Sequence, residues 1–317
     1  MENDPFKIAP LAFRDHNPLV SIIIPVHNRE KMAPEAVQSA LEQTYPHIEV
    51  VVVDDGSTDR TYECLKTFLP DITLIRQSPN QGQSAARNRG ISVSKGRHVL
   101  FLDSDDVLVP SAVDKLKRAL TRLEQDDPGW GVAYGKRLTC DESLNPLKTR
   151  SRDYFTGHIL DRMLTHPLMH TGTYLVRKAA MEEIGGFRED LAVKEDLLVH
   201  LLLAARYKFC FVDEVVVKYR RHRGDRARDN TFSIIEQGTK HLDQFFACHP
   251  SADRIQMKRR SAAYAAEHLQ IGKFAWRSGL AEDYLIHWKA LCTTRKRYLF
   301  HPKYLYRALI CKIKMRL

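Results

Sequence analysis

The sequence predicts an α/β fold with a mostly parallel sheet flanked by helices, followed by a helical C-terminal extension. Three observations lead there. Short apolar runs, Val20–Pro25, Ile48–Val53, Thr73–Arg76 and Val99–Leu102, each precede a stretch of helical spacing or a turn that leads into one. Such alternation of strand and helix reads as parallel strands joined by crossover helices. Carboxylate clusters follow the second and fourth runs, which puts both on the ligand-binding edge of an open α/β sheet. From about Thr231 onward the periodicity is helical throughout.

The elements follow in order. Residues 1–18 form a polar lead-in closed by Pro18. After the first strand, Val26-His27-Asn28-Arg29 is a loop, and Met32–Gln43 carries apolar residues at helical spacing (Ala36, Val37, Ala40, Leu41). Asp54-Asp55-Gly56-Ser57 ends the second strand, and a helix is expected over Thr58–Phe68 with Ser57 or Thr58 as cap. Asn80–Ser84 is a turn into a helix over about Ala85–Lys95. Beyond the fourth strand the pattern predicts a helix at Pro110–Glu124 and a strand at Gly131–Tyr134. Residues 138–170 read as a variable loop over the site, with Arg150-Ser151-Arg152 and a helical piece near Ile159–Thr165. Then come a strand at Gly172–Val176, a helix at Lys178–Ile184 ended by Gly185-Gly186, and a strongly apolar helix at Leu197–Ala205 opened by Glu195-Asp196. Phe209–Val212 and Val215–Tyr219 read as two closing strands.

Composition narrows the class. A chain of 317 residues with 44% hydrophobic and 28% charged residues can bury a sizeable core. The first twenty residues carry charges and prolines rather than an apolar segment, and no stretch approaches the ~18 apolar residues of a membrane span. Six scattered cysteines, at 64, 140, 210, 248, 292 and 311, without a CxxC pair, favour reduced thiols in the cytosol over a zinc site or disulfide framework. The net charge of +10 is concentrated at the end, where Lys289–Leu317 holds nine Lys/Arg and no Asp or Glu. The earlier chain is near balance, which argues for a basic tail rather than a nucleic-acid-binding core.

The chemistry centres on Asp103-Ser104-Asp105-Asp106, at the end of an apolar strand. Burying ionised carboxylates without partners is costly, so three in four residues call for a cation or a set of donors. A hard divalent metal, Mn²⁺ or Mg²⁺, suits oxygen ligands of this kind. If the strand continues, Asp103 and Asp105 project to one side and Ser104 to the other. The plainer alternative is a strand-to-helix turn with Asp106 or Ser111 as a cap.

In their order, Pro25, Asp54-Asp55-Gly56-Ser57, Arg87-Asn88, Asp103-Ser104-Asp105-Asp106, Gly185-Gly186-Phe187-Arg188-Glu189, Lys194-Glu195-Asp196 and Tyr219-Arg220-Arg221-His222 resemble a family 2 glycosyltransferase over about Pro18–Arg223. The resemblance implies a GT-A, Rossmann-like catalytic domain over 1–230, with the nucleotide-sugar site in about 18–110 and the acceptor and base region in about 170–223. Residues 231–317 are then a helical basic extension. It implies an inverting, metal-dependent transfer from a nucleotide-sugar, most simply a UDP-sugar, to a saccharide or lipid-linked saccharide hydroxyl in polysaccharide or glycolipid assembly. Pro25, Val26 and Asn28 would lie against base and ribose, Asp55 would accept from an imide N–H, and Arg87, Asp103 and Ser104 would serve the nucleotide. For Asp55 the alternative is a helix cap, and for Arg87 a solvated salt bridge. Asp105 would be the main metal ligand, with Asp103 on the metal or the ribose. His222 would be a further ligand or diphosphate contact, or else a solvent-exposed loop histidine. Arg220, Arg221 and Arg223 would hold the diphosphate or cover the surface. Asp196 would be the general base and Glu195 its support; the alternative is that both carboxylates favour the positive end of a helix. His27 stands where many relatives carry tyrosine.

The tail interleaves Leu285, Trp288, Leu291, Tyr298, Leu299, Phe300, Tyr304, Leu305, Leu309 and Ile310 with its basic residues. That composition suits the anionic inner face of a membrane, or alternatively a helical extension packed on the catalytic domain or a partner. Nucleic acid is not expected. Two rival functions remain. A sugar nucleotidyltransferase needs a glycine-rich phosphate loop after strand one, and Val26–Glu30 has no glycine. A glycosyltransferase-like module that binds without turnover is the other, against which Asp103, Asp105 and Asp196 count.

Overall fold

A computed structural model of the chain describes residues 17–148, 153–222, 231–248, 257–295, 298 and 301–315. The lead-in up to residue 16, Arg150-Ser151-Arg152, Arg223, Leu299 and Phe300 lie outside the described residues. In chain order the elements are β1 (Val20–Val26), α1 (Ala33–Leu41), β2 (Ile48–Asp55), α2 (Thr61–Lys66), β3 (Thr73–Gln77), α3 (Gln83–Val93), β4 (His98–Phe101) and β5 (Val107–Leu108). They continue as α4 (Ala112–Asp126), β6 (Trp130–Cys140), α5 (Leu160–Met163), β7 (Tyr174–Arg177), α6 (Lys178–Glu183), α7 (Glu195–Arg206) and β8 (Lys208–Arg220). The helices α8 (Thr231–Gln237), α9 (Lys240–Cys248), α10 (Met257–Arg277), α11 (Ala281–Thr294) and α12 (Pro302–Lys314) complete the chain.

By packing, these form two units. The first takes residues 17–148, 153–159, 168–189 and 203–222, and the second takes 160–167, 190–202 and the described residues from 231 onward. The division is not a single cut in the sequence, because two inserts from within the first 230 residues pack with the C-terminal helices.

The first unit is built on an eight-stranded sheet in the order β3-β2-β1-β4-β7-β6-β8-β5. The first four positions are parallel, with Val26 opposite Asp54 and Ile23 opposite Phe101, so the ends of β1, β2 and β4 share one edge. The rest is mixed: β7 runs antiparallel to both β4 and β6, β8 is parallel to β6, and β5 is antiparallel to β8. Alternation along the strands serves two faces. Ile22, Ile24, Val52, Leu100 and Leu102 join Val37 and Ala40 of α1 and Leu116 and Leu120 of α4 in one buried cluster. On the other face Phe101 meets Phe187 edge-on at 5.0 Å, and α3 presses against β1 at Gly90.

Four local expectations are corrected. The helix expected at Thr58–Phe68 is only Thr61–Lys66, because Asn28 Oδ1 takes the Thr58 backbone N–H (2.8 Å) and Asp59 Oδ1 takes that of Thr61 (2.9 Å). Neither Ser57 nor Thr58 caps it. The two closing strands are one strand, β8, whose pairing with β6 is irregular in register between Tyr134 and Arg137. Its polar interruption, Asp213-Glu214, is paired outward with Lys136 and with Lys115 (3.0 Å). Strand β6 runs on to Cys140, into the segment read as loop, and two-residue β5 is unannounced by its sequence.

In the second unit Ala275, Tyr284, Leu285, Ala308 and Cys311 bring α10, α11 and α12 into one cluster. It also buries histidines. Burial, with Lys194 adding to it, pushes His241 down to about 3; burial, with His268 adding to it, pushes His287 down to about 4.

Two predictions follow from this packing. A Cβ on Gly90 would lie 2.3 Å from Ile23 Cγ2, so Gly90→Ala forces α3 off β1 and lowers stability by about 1–3 kcal/mol in chemical denaturation. For the histidines, an unfolded pKa near 6.5 and lower folded values mean the unfolded state binds more protons between them. Their stabilising contribution is complete above about pH 6.5 and is lost as pH falls toward the folded values. Hydrogen exchange corrected for intrinsic rate should therefore quicken in α9–α11 between pH 7 and pH 4.5.

Candidate active site

The carboxylate cluster forms because β4 stops at Phe101 and the chain turns. The Asp106 N–H donates to the Asp103 carbonyl at 3.0 Å, so Asp103 and Asp105 do not continue the strand's alternation as expected. The turn folds Asp103, Asp105 and Asp106 onto each other, with one oxygen from each within 4.8 Å of the others. Ser111 occupies the cap position of α4 without a side-chain bond, so the capping alternative is not what holds this stretch.

Each carboxylate has a different partner. Asp103 Oδ1 accepts from Arg87 Nη2 at 2.9 Å. Arg87 is buried, with its guanidinium 5.1 Å from the centre of the Phe187 ring, so it is not a solvated surface pair. Asp105 Oδ2 lies 2.8 Å from His222 Nε2, and the His222 side chain is only 3% exposed, which disposes of the solvent-exposed alternative. Asp106 is 1% exposed; its Oδ1 accepts from the backbone N–H of Arg220 at 2.8 Å, while Oδ2 is buried with no hydrogen-bond partner among the described residues. Burial first, then Asp105 and Asp103, push the Asp106 carboxyl well above the usual carboxylate range. Asp106, outside the predicted ligand set, thus completes the group of three. The signal in the sequence was its adjacency to Asp105; its burial depends on a strand 114 residues away.

The Arg220 guanidinium has partners on α1 and in the segment after β6. Nη2 pairs with Glu35 Oε2 of α1 at 2.6 Å and Nη1 donates to the Glu142 carbonyl at 3.1 Å. Arg221 is exposed, and Arg223 lies outside the described residues.

Along the same edge, the ends of β1 and β2 are tied together. Pro25 and Val26 are buried, and Asn28 adopts φ +50°, with its N–H donating to Ser57 Oγ at 3.0 Å. His27 Nδ1 lies 2.8 Å from the Asp55 carbonyl oxygen. The Asp55 carboxylate accepts from Gln77 Nε2 (2.7 Å), Gln81 N–H (2.8 Å) and Gly82 N–H (2.7 Å), so it holds the loop leading into α3 rather than capping α2. A carboxylate offers about four acceptor positions, so three donors leave one for a ligand. Ser104 is nearly buried within the turn.

The donor set fits a hard divalent cation. Three acceptor-only groups crowd together, and one buried oxygen lacks a donor. His222 adjoins through Asp105 rather than standing within the group of three.

Glu195 and Asp196 belong to the second unit, in the first turn of α7. Glu195 is buried, whereas Asp196 is partly exposed and its Oδ1 accepts from the Leu197 N–H at 2.8 Å. Lys194 before them has φ +63°, and its ammonium donates to the Gly238 carbonyl at 2.8 Å and pairs with Glu267.

Removing one charge from the crowded turn separates stability from binding. Asp106→Asn keeps an acceptor for the Arg220 N–H and relieves repulsion, so stability should rise by about 1 kcal/mol in thermal melts. Calorimetric Mn²⁺ titration should show affinity weakened about 10–100-fold.

Comparison with known proteins agrees with this geometry. The sequence profile described as Glycosyl transferase family 2 matches residues 21–185. An uncharacterized glycosyltransferase of Rickettsia prowazekii, RP339, is 33% identical over 211 residues, 65% of each chain, so the match spans just under two thirds of that relative. Glycosyltransferase GlyG of Streptococcus pneumoniae is 26% identical over 230 residues, 66% of this chain and 73% of that one. Among solved structures, S. aureus TarS in complex with UDP-GlcNAc superposes with TM-score 0.58 at 18% identity, covering 88% of this chain and 91% of that one. The Pyrobaculum calidifontis mannosyltransferase PcManGT, in complex with GDP-Man and Mn²⁺, gives 0.59 at 21% identity, covering 98% and 88%. The fold is therefore of the GT-A type expected from the sequence, and the chain belongs to glycosyl transferase family 2.

Proposed function

We propose that the protein is an inverting, metal-dependent glycosyltransferase that moves a sugar from a nucleotide-sugar, most simply a UDP-sugar, to a hydroxyl of a saccharide or lipid-linked saccharide. The observation that carries the reading is the convergence of Asp103, Asp105 and Asp106 on the edge shared by the ends of β1, β2 and β4. An open α/β sheet receives its ligand at that edge. The nucleotide-sugars and Mn²⁺ bound by the two fold neighbours support the donor class and the metal.

Asp103, Asp105 and Asp106 would hold Mn²⁺ or Mg²⁺, with His222 on Asp105. A cation held there would supply positive charge against the departing diphosphate. Pro25, Val26 and Asn28 present backbone at the end of β1 to base and ribose. Asp55 uses its remaining acceptor position on an imide N–H. Arg87 holds Asp103 and places a buried positive charge on the nucleotide side of the site.

Asp196 is the better base of the acidic pair because it is the partly exposed member, while Glu195 is buried. It would take the proton of the acceptor hydroxyl as that oxygen attacks the anomeric carbon from the face opposite the diphosphate, inverting its configuration in one step. Glu195 would orient Asp196 or the acceptor.

The C-terminal helices support work at an anionic membrane surface, where a lipid-linked acceptor resides. On α12, Leu305, Tyr306 and Leu309 are exposed together with Lys303 and Lys312, while Ala308 and Cys311 are buried. Large apolar side chains outward, rimmed by cations, suit an interfacial helix. No helix among the described residues is long and apolar enough to cross a membrane. The setting is then the cytoplasm, at the inner face of the membrane, in polysaccharide or glycolipid assembly.

The test is calorimetric titration of UDP, GDP and CDP with and without Mn²⁺, followed by turnover of the matching donor. Metal-dependent binding of UDP is expected, and GDP preference would move the donor class. Asp196→Asn should lower kcat about 10²–10⁴-fold with nucleotide affinity unchanged. Binding without turnover on any acceptor would favour the non-catalytic module.

A further inference from the structure

The residue before the acidic pair carries an unusual conformation. Lys194 sits at φ +63°, in the left-handed region that favours glycine and strains other residues. Such a conformation persists only where surrounding contacts fix it. Here the contacts come from the C-terminal helices of the same unit. The Lys194 ammonium donates to the Gly238 carbonyl at the end of α8 (2.8 Å) and pairs with the nearly buried carboxylate of Glu267 on α10. Two of the four residues before it, Asp190 and Ala192, are tied in the same way. The Ala192 N–H donates to Gln237 Oε1 (3.2 Å), Lys240 Nζ to the Asp190 carbonyl (2.7 Å), and Gln244 Nε2 to Asp190 Oδ2 (2.7 Å).

Lys194 is also where α7 begins: its carbonyl accepts the Leu198 N–H at 3.2 Å, closing the turn that contains Glu195 and Asp196. Rotation about the Lys194 backbone would therefore swing both carboxylates. A glycine at this position would adopt the conformation without strain but would leave the pivot loose.

We propose that Lys194, through Glu267 and the Gly238 carbonyl, is a positioning residue that fixes the acidic pair for proton abstraction. On this reading the C-terminal helices hold the acidic pair, within the same unit. The inference rests on Asp196 being the base. Lys194 touches no reacting atom; it acts by holding the turn, and misplacing a reacting group by about 1 Å can cost 10²-fold in rate.

The experiment compares Lys194→Gly, Glu267→Gln and Asp196→Asn in the full-length protein, reading kcat, donor KM, UDP affinity and melting midpoint. Lys194→Gly keeps the backbone conformation and sheds its strain, so the fold survives the loss of the tie. Expected is a fall in kcat of about 10–100-fold in Lys194→Gly and Glu267→Gln, with donor KM and UDP affinity within about twofold of the parent. A Lys194→Gly variant with parental kcat, beside an inactive Asp196→Asn, overturns the positioning role and leaves the base intact. If kcat, UDP affinity and melting midpoint all fall together, the tie is merely structural and the proposal is wrong. An active Asp196→Asn removes the base itself, and the positioning role with it.

Discussion

Mutual repulsion among three carboxylates in a four-residue turn is the constraint around which the sheet edge is arranged. Asp103, Asp105 and Asp106 cannot spread apart, because the turn itself closes through the Asp106 N–H and the Asp103 carbonyl. Countercharge and donors must therefore be brought in from elsewhere in the chain. Arg87 arrives on α3, while His222 and the Arg220 N–H arrive at the end of β8. The two-residue strand β5 acquires its importance here. Its pairing of Val107 with Lys218 and Leu108 with Val217 fixes the register that sets the end of β8 beside the turn. A slip of one residue would flip every side chain of β8 to the other face and move the Arg220 N–H off Asp106.

The neutralisation stops short of balance. Arg220 donates its backbone N–H to Asp106, yet its guanidinium pairs with Glu35 and the Glu142 carbonyl. Asp106 receives the Arg220 backbone N–H, with Arg137 acting only as a weaker, minor countercharge, and its second oxygen has no hydrogen-bond partner among the described residues. A buried carboxylate in that condition destabilises the protein and raises its own pKa. Evolution toward stability alone would have removed it. Its retention beside two further acidic groups makes sense where a cation completes the set.

How much of this was legible in the sequence follows from how local each feature is. Strands β1, β2 and β4 announce themselves because Ile22–Ile24, Val50–Val53 and Val99–Leu102 are buried on both faces and so run apolar without interruption. Strand β8 misleads because Asp213-Glu214 looks like a turn; the two carboxylates instead point outward and pair with Lys136 of β6 and Lys115 of α4. Helix α2 is shorter than its spacing implies because Asn28, thirty residues upstream, claims the Thr58 N–H. The site divides along the same line. Asp103 and Asp105 are visible as a dense acidic run after a strand. The burial of Asp106 and His222 depends on β8, and the role of Asp55 as an anchor for residues 81–82 depends on β3 and α3. No property of these residue types in isolation carries that information.

Backbone strain shows the same dependence on context. Asn28, Leu144 and Lys194 are the described non-glycine residues with positive φ. Leu144 lies in a tight turn closed by Asp141, whose carboxylate takes the N–H groups of Ser143 and Asn145, and the Leu144 side chain takes no part in that closure. Its strain is the cost of reversing direction in few residues. At Asn28 and Lys194 the side chain itself fixes the conformation. Asn28 Oδ1 binds across to residue 58, and the Lys194 ammonium binds across to α8 and α10. A positive φ alone is thus a poor marker of function. A positive φ held by the residue's own side chain across a long sequence separation is a better one, because a glycine would satisfy the backbone and forfeit the tie. Both residues that meet this condition stand beside segments proposed above for ligand chemistry, one at the end of β1 and the other at the start of α7.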